Sequence, residues 1–133
     1  IVGFPQETDD DFLDTYNFVN ELDISYLHVF TYSERANTKA IEMEGVIPVP
    51  VRNQRNAMLR TLSEKKKRYF YQQFLGTTRL ALMEQEQHGN VMHGFTDNYI
   101  KVSMPFDALH VNQLVNVHLQ DFDDAGNVLA IVQ

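Results

Sequence analysis

The residues best suited to chemistry in this 133-residue chain lie in three short stretches. The first is a run of cations: Arg52, Arg55 and Arg60, followed by Lys65, Lys66, Lys67 and Arg68. Such a run can neutralise phosphates, and its bland counterpart is a solvated helix surface. The second is Phe95-Thr96-Asp97-Asn98-Tyr99-Ile100-Lys101, in which two aromatic rings flank a polar turn and a lysine follows. That arrangement suits base stacking with a phosphate contact, although aromatics in strands more often fill cores. The third is Gly3-Phe4-Pro5-Gln6-Glu7-Thr8, where a glycine after a short apolar run permits close backbone approach to a ligand. The same six residues also read as a plain turn with a helix cap.

Other chemistries find little footing. The chain has no cysteine, so thiolate ligation of zinc or of an iron–sulfur cluster is excluded within it. The five histidines show no paired metal spacing. Asp121-Phe122-Asp123-Asp124-Ala125-Gly126-Asn127 begins like a calcium loop, but Ala125 and Val132 stand where oxygen ligands are needed. No nucleophile-elbow serine and no phosphate-binding glycine–lysine loop occurs.

Charge is unevenly distributed. The net charge of −7 divides into −8 over residues 1–50, +6 over 51–75 and −5 over 76–133. The middle stretch is therefore the one electrostatic candidate for phosphate contact, and the acidic remainder argues against whole-surface nucleic-acid binding. No apolar run is long enough to span a bilayer, so no membrane partner is expected.

The elements that would position these residues follow from local patterns. Thr8 with Asp11 forms a capping box, and Phe12, Tyr16, Val19 and Leu22 recur at helical spacing, predicting a helix to about Asp23. Ser25 to Tyr32 is rich in β-branched and aromatic residues and predicts a strand, which would complete a βαβ unit with the opening residues. Residues 33–50, with Asn37, Gly45, Pro48 and Pro50, predict a loop and a boundary. Residues 51–75 predict a long linking helix ended by Gly76. Beyond it the period falls to two, at Leu80 and Leu82, then Ile100, Val102 and Met104, then Val115, Val117 and Leu119, then Leu129 and Ile131, and turn signals at His88-Gly89-Asn90 and Asp123 to Asn127 predict at least four antiparallel strands closing as a small barrel. The opening Ile1-Val2-Gly3-Phe4 has the character of a buried strand, which suggests a piece of a longer protein.

In order and spacing, three of these motifs resemble the radical-SAM tRNA methylthiotransferases with a C-terminal TRAM domain. Ile1 to Thr8 is similar to the family's IVGFPGET turn, and Leu27 to Ala40 to its HVFxYSxRxGTxA stretch. Gly94 to Val102 matches the GxTDNYxKV signature of the TRAM domain, with Leu75-Gly76-Thr77-Thr78 at its start. Gln6, Glu34, Asn37 and Lys39 depart from the pattern, and the second stretch is most similar to the threonylcarbamoyl-adenosine branch.

The resemblance implies an α+β chain: residues 1–50 as the terminal βαβ piece of a radical-SAM partial barrel, 51–75 as a long linker helix, and 76–133 as a small antiparallel, OB-like TRAM barrel. It implies a cytoplasmic parent enzyme that adds a methylthio group at C2 of a modified adenosine beside the anticodon, using S-adenosylmethionine and two 4Fe–4S clusters. In that picture Gly3, Phe4, Pro5 and Glu7 lie near S-adenosylmethionine. Arg52, Arg55, Lys65, Lys66, Lys67, Arg68, Phe95, Tyr99 and Lys101 meet the tRNA anticodon stem-loop. No DNA is involved, catalytic and metal-ligating residues lie in the rest of the parent, and the fragment alone is inactive and binds no cofactor. Two rivals stay open: an acidic β-barrel protein-interaction module, and a methylthiotransferase acting on a ribosomal protein.

Overall fold

A computed structural model describes the backbone of residues 1–133 and every side chain except those of residues 86–88. The chain forms two compact units, Ile1–Tyr69 and Phe70–Gln133.

In the first unit, helix α1 (Asp9–Glu21) starts where the capping box predicts. Thr8 Oγ1 accepts from Asp11 N at 3.1 Å, and Asp11 Oδ2 accepts from Thr8 N at 2.9 Å. Helix α2 (Val49–Gln72) begins two residues before the predicted start and supplies Leu59 and Leu62 to a small core with Val2 and Phe12. The strand expected at Ser25–Tyr32 does not form. Residue Val2 makes one parallel bridge to Thr31, through Val2 N to Phe30 O at 2.9 Å and Tyr32 N to Val2 O at 2.8 Å. Two chain segments with one bridge between them share too few ladder bonds to propagate a sheet, so the βαβ unit is present only as this contact. Residue Leu27 instead spends its backbone groups on α2, where Ser63 Oγ accepts from Leu27 N at 2.9 Å and donates to Leu27 O at 3.2 Å.

The second unit is a closed barrel of five strands in the order β1-β2-β3-β5-β4, with β1 Thr78–His88, β2 Val91–Thr96, β3 Lys101–Pro105, β4 Leu114–Phe122 and β5 Val128–Val132. The hairpin turns fall at Gly89-Asn90 and Asp124 to Gly126, as the glycine and asparagine signals predict. The barrel is not wholly antiparallel: β3 and β5 run parallel, because the connection through β4 returns the chain in the direction of β3. Its core gathers Met83, Met92, Ile100, Val102, Val117, Leu119 and Val128, with Tyr71 from the last turn of α2. Several apolar residues that marked the strands in sequence point the other way. In β1 the buried positions are Ala81 and Met83, which leaves Leu80 and Leu82 exposed, and in β5 Leu129 and Ile131 are exposed. Gly94 is buried against β1, where a Cβ would stand 2.5 Å from Leu82 O.

Candidate nucleic-acid interface

The Thr96–Ile100 turn between β2 and β3 is built by its own side chains. Thr96 Oγ1 accepts from Ile100 N at 2.9 Å and donates to Asn98 Oδ1 at 2.6 Å, while Tyr99 N donates to Thr96 O at 2.9 Å. Asp97 receives a forked pair from Arg79, Nε at 2.8 Å and Nη2 at 3.0 Å. The hydrogen bond from Arg79 holds the Asp97 carboxyl below its ordinary range. The Arg79 guanidinium lies 5.0 Å from the centre of the Phe74 ring, so one face of the fork is fixed as well.

This framework holds Tyr99 in the left-handed region, with φ of 64°. An aromatic residue there is an outlier that local sterics disfavour, and it persists only because the surrounding bonds over-determine the turn. The consequence is a ring turned to solvent, 81% exposed. At the same end of the hairpin Phe95 and Lys101 are register partners across β2 and β3. Phe95 also pairs with Leu82, and Leu82 with Leu114, so an outward row crosses β4, β1, β2 and β3. Phe95, Leu82 and Leu114 in that row are all exposed. The structure thus brings Phe95 and Lys101 side by side and places Tyr99 in the turn that closes their hairpin. Nothing local in the sequence marks Arg79, whose partner lies 18 residues away.

The basic stretch behaves differently. Arg52 and Arg55, expected to meet phosphates, are buried with their donors consumed inside the first unit. Arg55 Nη1 donates to Glu7 O at 3.0 Å and Glu7 Oε1 at 2.6 Å, and Nη2 donates to Asp9 Oδ1 at 2.7 Å. Arg52 donates to Ile47 O at 2.6 Å, Tyr32 O at 3.1 Å and Glu34 Oε1 at 2.7 Å. Arg55 turns inward because it satisfies the buried Glu7 carboxylate, and Arg52 because it bonds the carbonyls of Ile47 and Tyr32 as well as the half-exposed Glu34. Lys66 Nζ donates to Asn20 O at 3.0 Å and Leu22 O at 2.7 Å, closing the C-terminal end of α1, which has no basic residue of its own in its last turn. Lys67 pairs with Glu64 at 2.6 Å and lies 5.9 Å from the Tyr26 ring centre. Lys65 and Arg68 are exposed on α2, as is Arg60.

The turn from Gly3 to Thr8 is locked by the same two arginines. Gly3, at φ of 76°, donates its N–H to Glu7 Oε1 at 2.8 Å, and a Cβ on Gly3 would stand 2.4 Å from Arg52 Cγ. Gly3, Pro5 and Glu7 are buried, and Phe4 is the exposed apolar residue of this turn.

No protein-family model matches the chain. Curated relatives do. The threonylcarbamoyladenosine tRNA methylthiotransferase of Aquifex aeolicus is 37% identical over 102 residues, 77% of this chain and 24% of that protein. The Bacillus subtilis protein of the same name is 35% identical over 123 residues, 90% of the chain and 27% of the relative. The tRNA-2-methylthio-N(6)-dimethylallyladenosine synthase of Endomicrobium trichonymphae is 34% identical over 121 residues, 91% of the chain and 29% of the relative. The chain belongs to the methylthiotransferase family. It spans about a quarter of the length of these relatives. Relatives named for two different modified adenosines match this chain over similar lengths. No helix among the described residues is long and apolar enough to cross a membrane.

Proposed function

We propose that this chain is the substrate-docking part of a tRNA methylthiotransferase: its barrel is a TRAM domain that holds the anticodon stem-loop, and methylthiolation at C2 of a modified adenosine is completed by other parts of a radical-SAM, S-adenosylmethionine-dependent enzyme. The single observation that carries this reading is Tyr99, a ring kept in solvent at the cost of a left-handed backbone. Its hairpin forms strands two and three of a five-stranded barrel, the face that barrels of this kind use for oligonucleotides. With a net charge of −5 over residues 76–133, this barrel binds through ring stacking on unpaired bases more than through phosphate attraction. Phosphate contacts then fall to Lys101 and to Lys65, Lys67 and Arg68 on α2, while Arg52, Arg55 and Lys66 hold the first unit together. The Leu27 to Ala40 stretch, most similar to the threonylcarbamoyl-adenosine branch, favours that nucleoside. With no cysteine in the chain, the ligands of any 4Fe–4S cluster belong to another segment. S-adenosylmethionine, when bound, supplies the methyl group. Here the exposed Phe4 ring is the group able to touch it, with Gly3, Pro5 and Glu7 holding the turn.

The test is binding of an anticodon stem-loop RNA across a salt series. Tyr99→Ala should weaken binding by about 1–3 kcal/mol with the salt slope unchanged, and Lys65→Ala should lower the slope by about one counterion. Because Tyr99 packs into no core, its loss leaves the barrel's melting temperature in place. If Tyr99→Ala binds the stem-loop as well as the parent does, the docking assignment fails.

A further inference from the structure

The barrel is closed by its weakest seam. The β3–β5 ladder has only two register pairs, Val102 with Val128 and Ser103 with Leu129. Phe106 N donates to Asn90 O on the β2 side, and Gln133 N donates to Asn116 O on the β4 side. Alternation along each strand therefore turns Ser103 and Pro105 toward β5, and Val128 and Ala130 toward β3. The next ladder bond would run from residue 105 to the Ala130 carbonyl. Proline has no N–H to give, so the ladder stops.

Past that point the strands leave a groove of about 690 Å3, lined by Ser103, Pro105, Phe106, Gln120, Leu129 and Ile131 among others. It continues into a second hollow of about 490 Å3 that shares Pro105, Phe106 and Ile131 and ends at Asp107 and His110. Leu129 and Ile131, exposed on β5 along with Val132, are spaced two apart, the spacing at which an extended chain presents its own side chains. Among the described residues neither hollow is lined by a lysine or arginine, and the one carboxylate is Asp107, whose Oδ2 lies 3.7 Å from His110 Nδ1. The barrel around it is acidic, at −5 over residues 76–133.

We propose that this seam is a peptide-binding groove: an extended, basic polypeptide segment adds to β5 as a strand, giving a backbone N–H to the Ala130 carbonyl that Pro105 leaves unmatched. Apolar side chains of the segment lie over Leu129 and Ile131, and its cations face Asp107 and the acidic barrel. Strand addition of this kind draws affinity from main-chain bonds and selectivity from alternate side chains. The charge decides between macromolecular partners, since a nucleic acid brought here would meet a carboxylate and, among the described residues, no lysine or arginine. The groove is independent of the Tyr99 surface, so it stands or falls apart from the RNA assignment.

The probe is a short fluorescent peptide alternating lysine and valine, titrated into the full chain, with a glutamate–valine peptide and oligouridylate as separate arms. The lysine–valine peptide should bind, and the glutamate–valine peptide and oligouridylate should not compete for it. N-methylation of alternate peptide nitrogens should weaken binding roughly fivefold for each ladder bond removed. Pro105→Ala restores the missing donor and lets the seam close on itself, so it should weaken peptide binding while the melting temperature stays level or rises. Should Pro105→Ala disturb the fold, Ile131→Lys, an outward change on β5, serves instead and should repel the basic peptide. Equal binding of the acidic peptide, indifference to N-methylation, or competition by oligouridylate would each overturn the proposal, as would the absence of any binding at millimolar peptide.

Discussion

Replacing Arg55 by methionine is the sharpest test of how the first unit is built. Arg55 and Glu7 have side chains only 5% and 3% exposed. Three bonds are lost in the variant: two to Glu7, one to Asp9. The Asp9 bond contributes little, because that carboxylate is almost wholly in water. The Glu7 bonds differ in kind. Their loss leaves a buried carboxylate with Gly3 N as its remaining donor among the described residues, and an unpaired buried charge typically costs about 3–5 kcal/mol. Methionine keeps most of the aliphatic stem, so the packing term stays small, although the cation–π contact of the guanidinium, 5.5 Å from the Phe12 ring centre, goes with the charge. The expected destabilisation is therefore about 3–5 kcal/mol, against at most ~0.5 kcal/mol for an exposed change such as Lys65→Ala. Native-state hydrogen exchange reads it in place: amides of α1 and the Gly3 N–H should lose protection while barrel amides keep theirs. Adding Glu7→Met to Arg55→Met removes the stranded charge and should recover much of the loss, a coupling that a double-mutant cycle measures. A single-variant cost below about 1 kcal/mol, or a double variant no better than the single, would refute the view that Arg55 exists to neutralise Glu7.

Two further outcomes follow from the same contacts. Lys66→Ala should fray the last turn of α1, costing about 0.5–1 kcal/mol, because the carbonyls of Asn20 and Leu22 lose their donor; amide exchange near residues 20–22 reports it. On acidification, Asp97 and Glu34 should titrate below the ordinary carboxylate range near about pH 4, since hydrogen bonds from Arg79 and Arg52 favour their charged forms. With folded-state values below unfolded ones, their stabilising effect is fully present above the ordinary range and is lost as pH falls below it through the depressed values; carboxyl carbon NMR should show Arg79→Gln returning Asp97 to an ordinary value.

Much of the fold was legible because it is encoded locally. The Thr8–Asp11 capping box and the turn glycines act within a few residues, so their sequence patterns and their structures coincide. The Thr96-Asp97-Asn98-Tyr99 turn was visible as a motif, but its left-handed Tyr99 was not, since nothing in a tyrosine's type announces positive φ. Long-range facts escaped for a shared reason. Counting charge along 51–75 treats every cation as facing water, whereas Arg55 is neutralised by Glu7, 48 residues away in sequence. The Ser25–Tyr32 segment has strand composition, yet strand formation needs neighbours, and Leu27 found Ser63 instead. Likewise the period of two located β1 and β5 correctly without revealing which face was inside, because Ala81 and Ala130 are small enough to line a narrow barrel while the leucines and isoleucine face outward.

The last turn of α2 bears on where this protein could be divided. Tyr71 is buried among the barrel residues, and its hydroxyl accepts from Lys101 N at 3.1 Å, the first amide of β3. Phe70, Phe74 and Leu75 pack on the same core. A barrel transplanted from Gly76 onward would arrive without its plug, whereas one taken from Phe70 would carry it. The heritable module is thus a strand barrel with a helical stopper attached, and a natural or engineered fusion that respects the helix boundary instead of this seam breaks the piece that has to travel whole.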